Sequence, residues 1–226
     1  MSPDTVIAYP ANGNLYLNIT NRCSCACTFC LRGFTSEVYG YELLLEREPA
    51  VEEIIEAAET SLDREPAAQI VFCGLGEPTL RLDAVLEVIR WARVRGLPTR
   101  LDTNGLGATL HPSRDVAAEL VEAGLDAVSI SLNAADPDVY EALCRPLVRD
   151  AHAAVVEFAR RCAAAGLDTT LSALDGVGVD LEACARLAAD IGGRFRVRGC
   201  ALPPGWEPVL GPDGRPHVAG TESEER

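Results

Sequence analysis

Apolar residues fall into six short runs separated by longer stretches with helical spacing. The runs are LYLNIT (15–20), QIVFCG (69–74), TRLDTN (99–104), AVSISLN (127–133), TTLSAL (169–174) and FRVRGC (195–200). Each is bounded by Gly, Asn, Asp or Pro, the residues that end strands. Between them, residues 49–62 read PAVEEIIEAAETSL, with apolar residues at helical spacing. Residues 82–95 place Val85, Ile89 and Ala92 on one face, with Gly96 just past the end. Residues 111–123 open with Pro112 and Ser113 and close at Gly124; 151–165 run to Gly166 and 181–191 to Gly192. A helix ending at Gly just before a strand is an αβ-loop pattern. Regular strand–helix alternation predicts right-handed, parallel βαβ units. Six units are too few for an eight-stranded barrel. The fold class is therefore α/β, as a partial (β/α)6 TIM-like barrel or an open doubly wound sheet.

Composition fits that picture. Apolar residues make up 48% and aromatics only 5%, so Leu, Val, Ile and Ala must build the core, as under a helix-covered parallel sheet. The 226 residues suit one barrel domain over 1–202, followed by a Pro/Gly-rich, acidic tail over 203–226. A net charge of -14 disfavours bulk binding to nucleic acid or anionic membranes, while leaving room for a local basic pocket. No apolar run is long enough to span a bilayer, and the N-terminus shows no export pattern, so the expected location is cytoplasmic.

Nine cysteines change the picture further. Four lie between Cys23 and Cys30, directly after the first strand, where a parallel β/α fold forms its active face. Cys162 and Cys184 lie in helical stretches and fit buried free thiols. Four thiols in eight residues fit a metal site better than disulfides. Cys23, Cys27 and Cys30 have the spacing C-x3-C-x2-C. Three close thiolates can hold three irons of a cubane cluster and leave the fourth open to a small molecule. Zinc is the competing metal, but its structural sites use two ligand pairs a dozen or more residues apart, and no second pair follows.

This spacing, with Phe29 before the third cysteine, resembles the signature of the radical SAM superfamily. The resemblance implies a partial (β/α)6 barrel, a [4Fe–4S] cluster on Cys23, Cys27 and Cys30, and S-adenosylmethionine chelating the open iron with Phe29 near its adenine. Later strands carry similar motifs. GLGEP (74–78) resembles the family's GGEP, implying that Gly76 and Glu77 hold the methionine amine; Leu75 replaces a glycine. TNG (103–105) makes Thr103 and Asn104 candidates for cofactor or substrate contacts, while Asn-Gly equally reads as a turn. Ser131 and Asn133 in SISLNA match cofactor-binding positions, with a satisfied structural network as the alternative. Arg32, Arg81 and Arg145 are candidates for an anionic substrate group. Ser172, Asp175, Arg196 and Arg198 receive no role.

Together with Tyr140, Cys144, Arg145 and Pro146, these motifs look most like the TatD-associated radical SAM proteins. The resemblance implies reductive cleavage of S-adenosylmethionine to a 5′-deoxyadenosyl radical that abstracts substrate hydrogen. It also implies a flavodoxin- or ferredoxin-like one-electron donor. A minimal barrel favours a protein or peptide substrate that closes its open side over a small metabolite. A non-catalytic iron–sulfur or zinc scaffold is the alternative class. Cys25 is left over; as a ligand of the fourth iron it would displace S-adenosylmethionine, so it is expected to be a spare.

Overall fold

The computed structural model describes residues 6–199, so the expected tail (203–226) and Cys200 lie outside the described residues. Among the described residues, nine strands and seven α-helices follow in order. They are β1 (Ala8–Ala11), β2 (Asn14–Asn18), β3 (Glu37–Val38), β4 (Tyr41–Glu42), α1 (Val51–Arg64), β5 (Ile70–Cys73), α2 (Leu82–Val94) and β6 (Thr99–Thr103). Then come α3 (Gly107–Leu110), α4 (Val116–Ala123), β7 (Ala127–Ser131), α5 (Pro137–Cys144), α6 (Ala151–Ala164), β8 (Asp168–Leu174), α7 (Leu181–Ile191) and β9 (Arg194–Arg198).

The six expected strands are β2, β5, β6, β7, β8 and β9. They pair in parallel and in that order, with β1 added antiparallel at the β2 edge. Each strand neighbours the next in sequence, so every right-handed crossover steps the same way and the helices collect on one face. A doubly wound sheet reverses its strand order partway. The sequential order selects the partial barrel.

Strand alternation sorts the residues between two faces. Leu15, Leu17, Ile70, Phe72, Leu101, Val128, Ile130 and Leu171 point outward into the main core. There they meet Ile54, Val85, Ile89, Leu120, Val155 and Ala159 from the helices. The intervening positions are Tyr16, Cys73, Arg100, Asp102, Ser129, Ser172, Arg196 and Arg198. The concave face is thus polar, and the barrel interior is a chamber rather than a packed core.

Three local expectations need correction. The predicted helix over 111–123 starts only at Val116, as α4, and the short α3 (Gly107–Leu110) lies before the predicted range. Asp115 caps α4, accepting from Ala118 N at 3.1 Å, so the chain turns between them. Helix α5 was not expected; Asp136 caps it through Asp138 N and Val139 N, and Pro137 opens it. Two hairpins also escaped the pattern. Asn12 and Gly13, both at positive φ, turn β1 into β2, and Tyr39 and Gly40 turn β3 into β4.

Candidate functional site

The cysteine loop leaves the carboxyl end of β2 and is held from three sides. First, residues 43–48 brace its start. Asn18 donates to Leu43 O at 2.8 Å, Asn21 donates to Leu45 O at 2.7 Å, and Thr20 donates to Glu48 Oε1 at 2.6 Å. Second, the end of α5 lies alongside it. Ala26 N donates to Arg145 O at 3.1 Å, Thr28 N to Leu143 O at 2.8 Å, and Leu147 N to Ser24 O at 2.9 Å. Arg145 adopts φ 44°, which turns the chain so that its carbonyl faces the loop. Third, the GLGEP turn sits beneath. Glu77 N donates to Arg22 O at 2.8 Å.

Gly76 explains why this last contact needs a glycine. A Cβ there would lie 2.4 Å from both the Thr20 and Arg22 carbonyl oxygens. Backbone that close cannot yield without moving the cysteine loop. Gly76→Ala is therefore expected to lower the unfolding free energy by about 2 kcal/mol or more, from overpacking against backbone. Circular dichroism during a urea titration checks this.

Glu77 is 2% exposed, and four protein donors meet its carboxylate. Oε1 accepts from Thr79 N at 3.0 Å, Thr79 Oγ1 at 2.7 Å and Thr103 Oγ1 at 2.7 Å; Oε2 accepts from Asn104 N at 2.7 Å. Burial raises its pKa, and these hydrogen bonds oppose the rise. The acid thus ties the β5 turn to the TNG turn. Thr103 also accepts from Gly105 N at 3.1 Å.

Asn104 extends the tie to the thiols. Its Nδ2 donates to Ser24 Oγ at 2.8 Å and lies 3.8 Å from Cys23 Sγ and 3.7 Å from Cys25 Sγ. Burial pushes the Cys23 thiol up to about 11. The neighbouring Cys27 sulfur, and then burial, push Cys25 up as well. Cys27 is raised first by contact with Cys144, the last residue of α5. Asn133 donates to Cys144 Sγ at 3.2 Å and accepts from Arg198 at 2.8 Å, so a polar chain runs from β9 to the cysteine loop. Asn133 holds φ 59°, a conformation asparagine tolerates.

Cys30 faces a cavity of about 560 Å³ inside the barrel. Tyr9, Tyr16, Tyr39, Cys73, Arg100, Asp102, Arg196 and Arg198 line it, and Arg32 stands at its edge. Arg100 and Asp102 form an ion pair at 2.7 Å. Sequence reasoning assigned nothing to Tyr16, Arg100 or Asp102, although the alternation in TRLDT marks the latter two as facing opposite to Leu101. A second cavity of about 700 Å³ lies between β1 and α1, lined by Ile7, Glu53, Glu56 and Arg64, with no cysteine in its wall.

The expected site residues divide accordingly. Cys23, Cys27, Cys30, Gly76, Glu77, Thr103 and Asn104 meet around the loop. Phe29 is partly buried against the main core. Ser131 pairs with Ser172 in register. Arg81 is spent elsewhere: it donates to Ile19 O at 3.0 Å and Pro49 O at 2.7 Å and does not line the cavity. The Arg145 side chain is exposed, and that residue holds the loop through its carbonyl.

The donor set fits a [4Fe–4S] cluster. It comprises three free thiols on one loop at the carboxyl end of a barrel strand, backed by an amide donor. Among the described residues, no three Cys, His, Asp or Glu side chains converge on a single metal ion. A cubane spaces its ligands further apart than one ion does.

Fold and site together define a barrel enzyme class built around a three-thiolate loop. The family model of the radical SAM superfamily matches residues 17–191, and the chain belongs to that superfamily. Its members use a [4Fe–4S] cluster and S-adenosylmethionine. The chain is 36% identical over 155 residues to GTP 3′,8-cyclase of Streptomyces coelicolor, covering 68% of this chain and 42% of that protein. It is 31% identical over 203 residues to PqqA peptide cyclase of Ruegeria pomeroyi, covering 87% of this chain and 49% of that one. The chain thus spans about half the length of the curated relatives it matches. Streptococcus suis SuiB bound to S-adenosylmethionine shares the fold, with a TM-score of 0.64 at 14% identity over 84% of this chain and 41% of that one. The TatD-associated branch is not among these matches. No helix among the described residues is long and apolar enough to cross a membrane.

Proposed function

We propose that this chain is a radical SAM enzyme acting on a peptide or protein segment that enters the open side of its barrel. The cysteine loop over a polar chamber carries this reading: three thiols lie on the loop, and Cys30 opens into a cavity walled by tyrosines and arginines. Cys23, Cys27 and Cys30 would hold the cluster, which when bound and reduced would supply the one electron that splits the C5′–S bond of S-adenosylmethionine into methionine and a 5′-deoxyadenosyl radical.

The chain's own residues bind and orient. Gly76 lets the GLGEP backbone lie under the loop, and Glu77 fixes the TNG turn whose Asn104 amide faces Cys23. Phe29, partly buried against the core beside Cys30, would flank the adenine. Asn133 accepts from Arg198, which lines the chamber, and Ser131 lies in register with Ser172. Tyr9 and Tyr16 stack along one side of the cavity with centroids 5.4 Å apart, and Tyr39 tilts against Tyr16 at 6.4 Å.

A peptide is favoured over a small metabolite for two reasons. The sheet is open between β1 and β9 among the described residues, which leaves room for a bulky partner. Relatives at 31% identity are peptide cyclases, and a structural neighbour was solved with its precursor peptide. A flavodoxin- or ferredoxin-like protein supplies the electron, and the location is cytoplasmic. The TatD-associated branch remains the subgroup this reading favours, on the motif pattern of residues 13–200. Anaerobic reconstitution tests the first step. The expected result is about four irons and four sulfides per chain. Stoichiometric zinc without iron contradicts the reading and supports a zinc scaffold.

A further inference from the structure

Asn104 is held at three points and aims one group at the sulfurs. Its backbone N–H donates to Glu77 Oε2 at 2.7 Å, and its Oδ1 accepts from Leu106 N at 3.0 Å. The second bond fixes which end of the amide is which: Leu106 takes the oxygen, so the NH2 points away from it. There Nδ2 donates to Ser24 Oγ at 2.8 Å and lies 3.8 Å from Cys23 Sγ and 3.7 Å from Cys25 Sγ. An NH2 carries two hydrogens. One serves Ser24, a buried residue, and the other is left for sulfur. Gly105 follows at φ 83°, so an Asn-Gly turn carries residue 104 up to the loop. A turn alone explains the Leu106 bond. It does not call for an amide set against a cysteine loop some 80 residues earlier in the chain.

From this we infer that Asn104 is a positioning residue that sets the reduction potential of the cluster through Cys23. The inference deepens the proposed function and rests on it for the presence of the cluster. Reduction adds negative charge that iron shares with its sulfur ligands. An N–H donor on a ligand sulfur stabilises that charge and so raises the potential. Such a bond counts for more where water is scarce, and Cys23 and Asn104 are both half-buried. Cys25 offers the same amide a second acceptor, but only a bond to a ligand sulfur acts on the cluster. Glu77 works one step further back. Its carboxylate holds the backbone N–H from which the donor reaches.

The test is a mediated redox titration of the reconstituted chain without S-adenosylmethionine, with the reduced cluster followed by electron paramagnetic resonance. Asn104→Leu keeps the bulk of the side chain, adds no charge and loses the donor. Its expected midpoint is more negative. At the potential that half-reduces the parent cluster, the ratio of reduced to oxidised cluster falls about threefold or more, in line with the net worth of one hydrogen bond. Ser24→Ala removes the 2.8 Å tether and leaves the donor to sulfur, so its midpoint is expected to stay at the parent value. An unchanged midpoint in Asn104→Leu overturns the proposal. So does an equal shift in Ser24→Ala, which would make Asn104 a tether of the loop and nothing more. If the leucine variant fails to hold iron, Asn104→Ala, smaller and equally without a donor, carries the test. Loss of iron from both assigns Asn104 to cluster assembly and overturns the proposal too. A parent chain that loads no iron overturns the enzyme reading and this inference with it, and the iron assay shows that before any titration. An unshifted midpoint in a loaded variant overturns this inference alone.

Discussion

Cys27→Ala is expected to lose the cluster, leaving less than about one iron per chain, whereas Cys25→Ala keeps about four. The two thiols differ by two positions and nearly touch, so the contrast is sharp. Three thiolates complete the protein's share of a cubane whose fourth iron must stay open for chemistry. A fourth protein ligand would close it. Cys25 is committed in another way: its backbone bridges Pro146, and its thiol lies 3.7 Å from the Asn104 amide. Its removal takes away a packing contact and leaves the three-ligand set intact. Iron and sulfide assays on both variants, with electron paramagnetic resonance after dithionite, decide the point. Equal loss of iron in both would make Cys25 a ligand and end the proposed chemistry.

Glu77→Ala has the largest expected effect on stability, about 3–5 kcal/mol. The carboxylate satisfies two backbone N–H groups and two hydroxyls in a site 2% exposed. Each buried donor left without a partner costs about 1–3 kcal/mol. Glu77→Gln keeps the acceptor for the two threonines but turns an NH2 toward Asn104 N, so its loss is expected to be intermediate. Urea unfolding of the cluster-free chain measures both. Because Asn104 carries the tie onward to Ser24 and Cys23, iron retention is expected to fall in parallel. A midpoint shift worth less than about 1 kcal/mol for the alanine variant would show that water or a rearrangement replaces the acid.

The six parallel strands were readable because each carries an apolar outer face between turn residues. The antiparallel strand β1 was not, since AYPA is four residues long with Pro10 on an edge where proline is tolerated. Its turn, Asn12–Gly13, is a hairpin signal that lies outside the six apolar runs. In the site, the thiols stood out by spacing alone. What spacing does not show is which side chains are already satisfied. From the sequence, Glu77 reads as a contact to the methionine amine, and Asn133 as a cofactor contact with a structural network as the alternative. In the fold both have protein partners, brought from strands and helices dozens of residues away. Arg81 looked free as a loop cation and is a clamp on two carbonyls. Conversely, Arg100, Asp102 and Arg196 became meaningful only once the polar half of the strand alternation was seen to face a cavity rather than solvent.

The central claim is that this barrel cleaves S-adenosylmethionine. Its most direct test is to incubate the reconstituted chain anaerobically with S-adenosylmethionine and dithionite and to quantify 5′-deoxyadenosine by chromatography. The account predicts formation that requires both dithionite and the cluster and is absent in Cys27→Ala. A chain that carries four irons, accepts an electron and yet forms no 5′-deoxyadenosine, with or without peptides present, would contradict it.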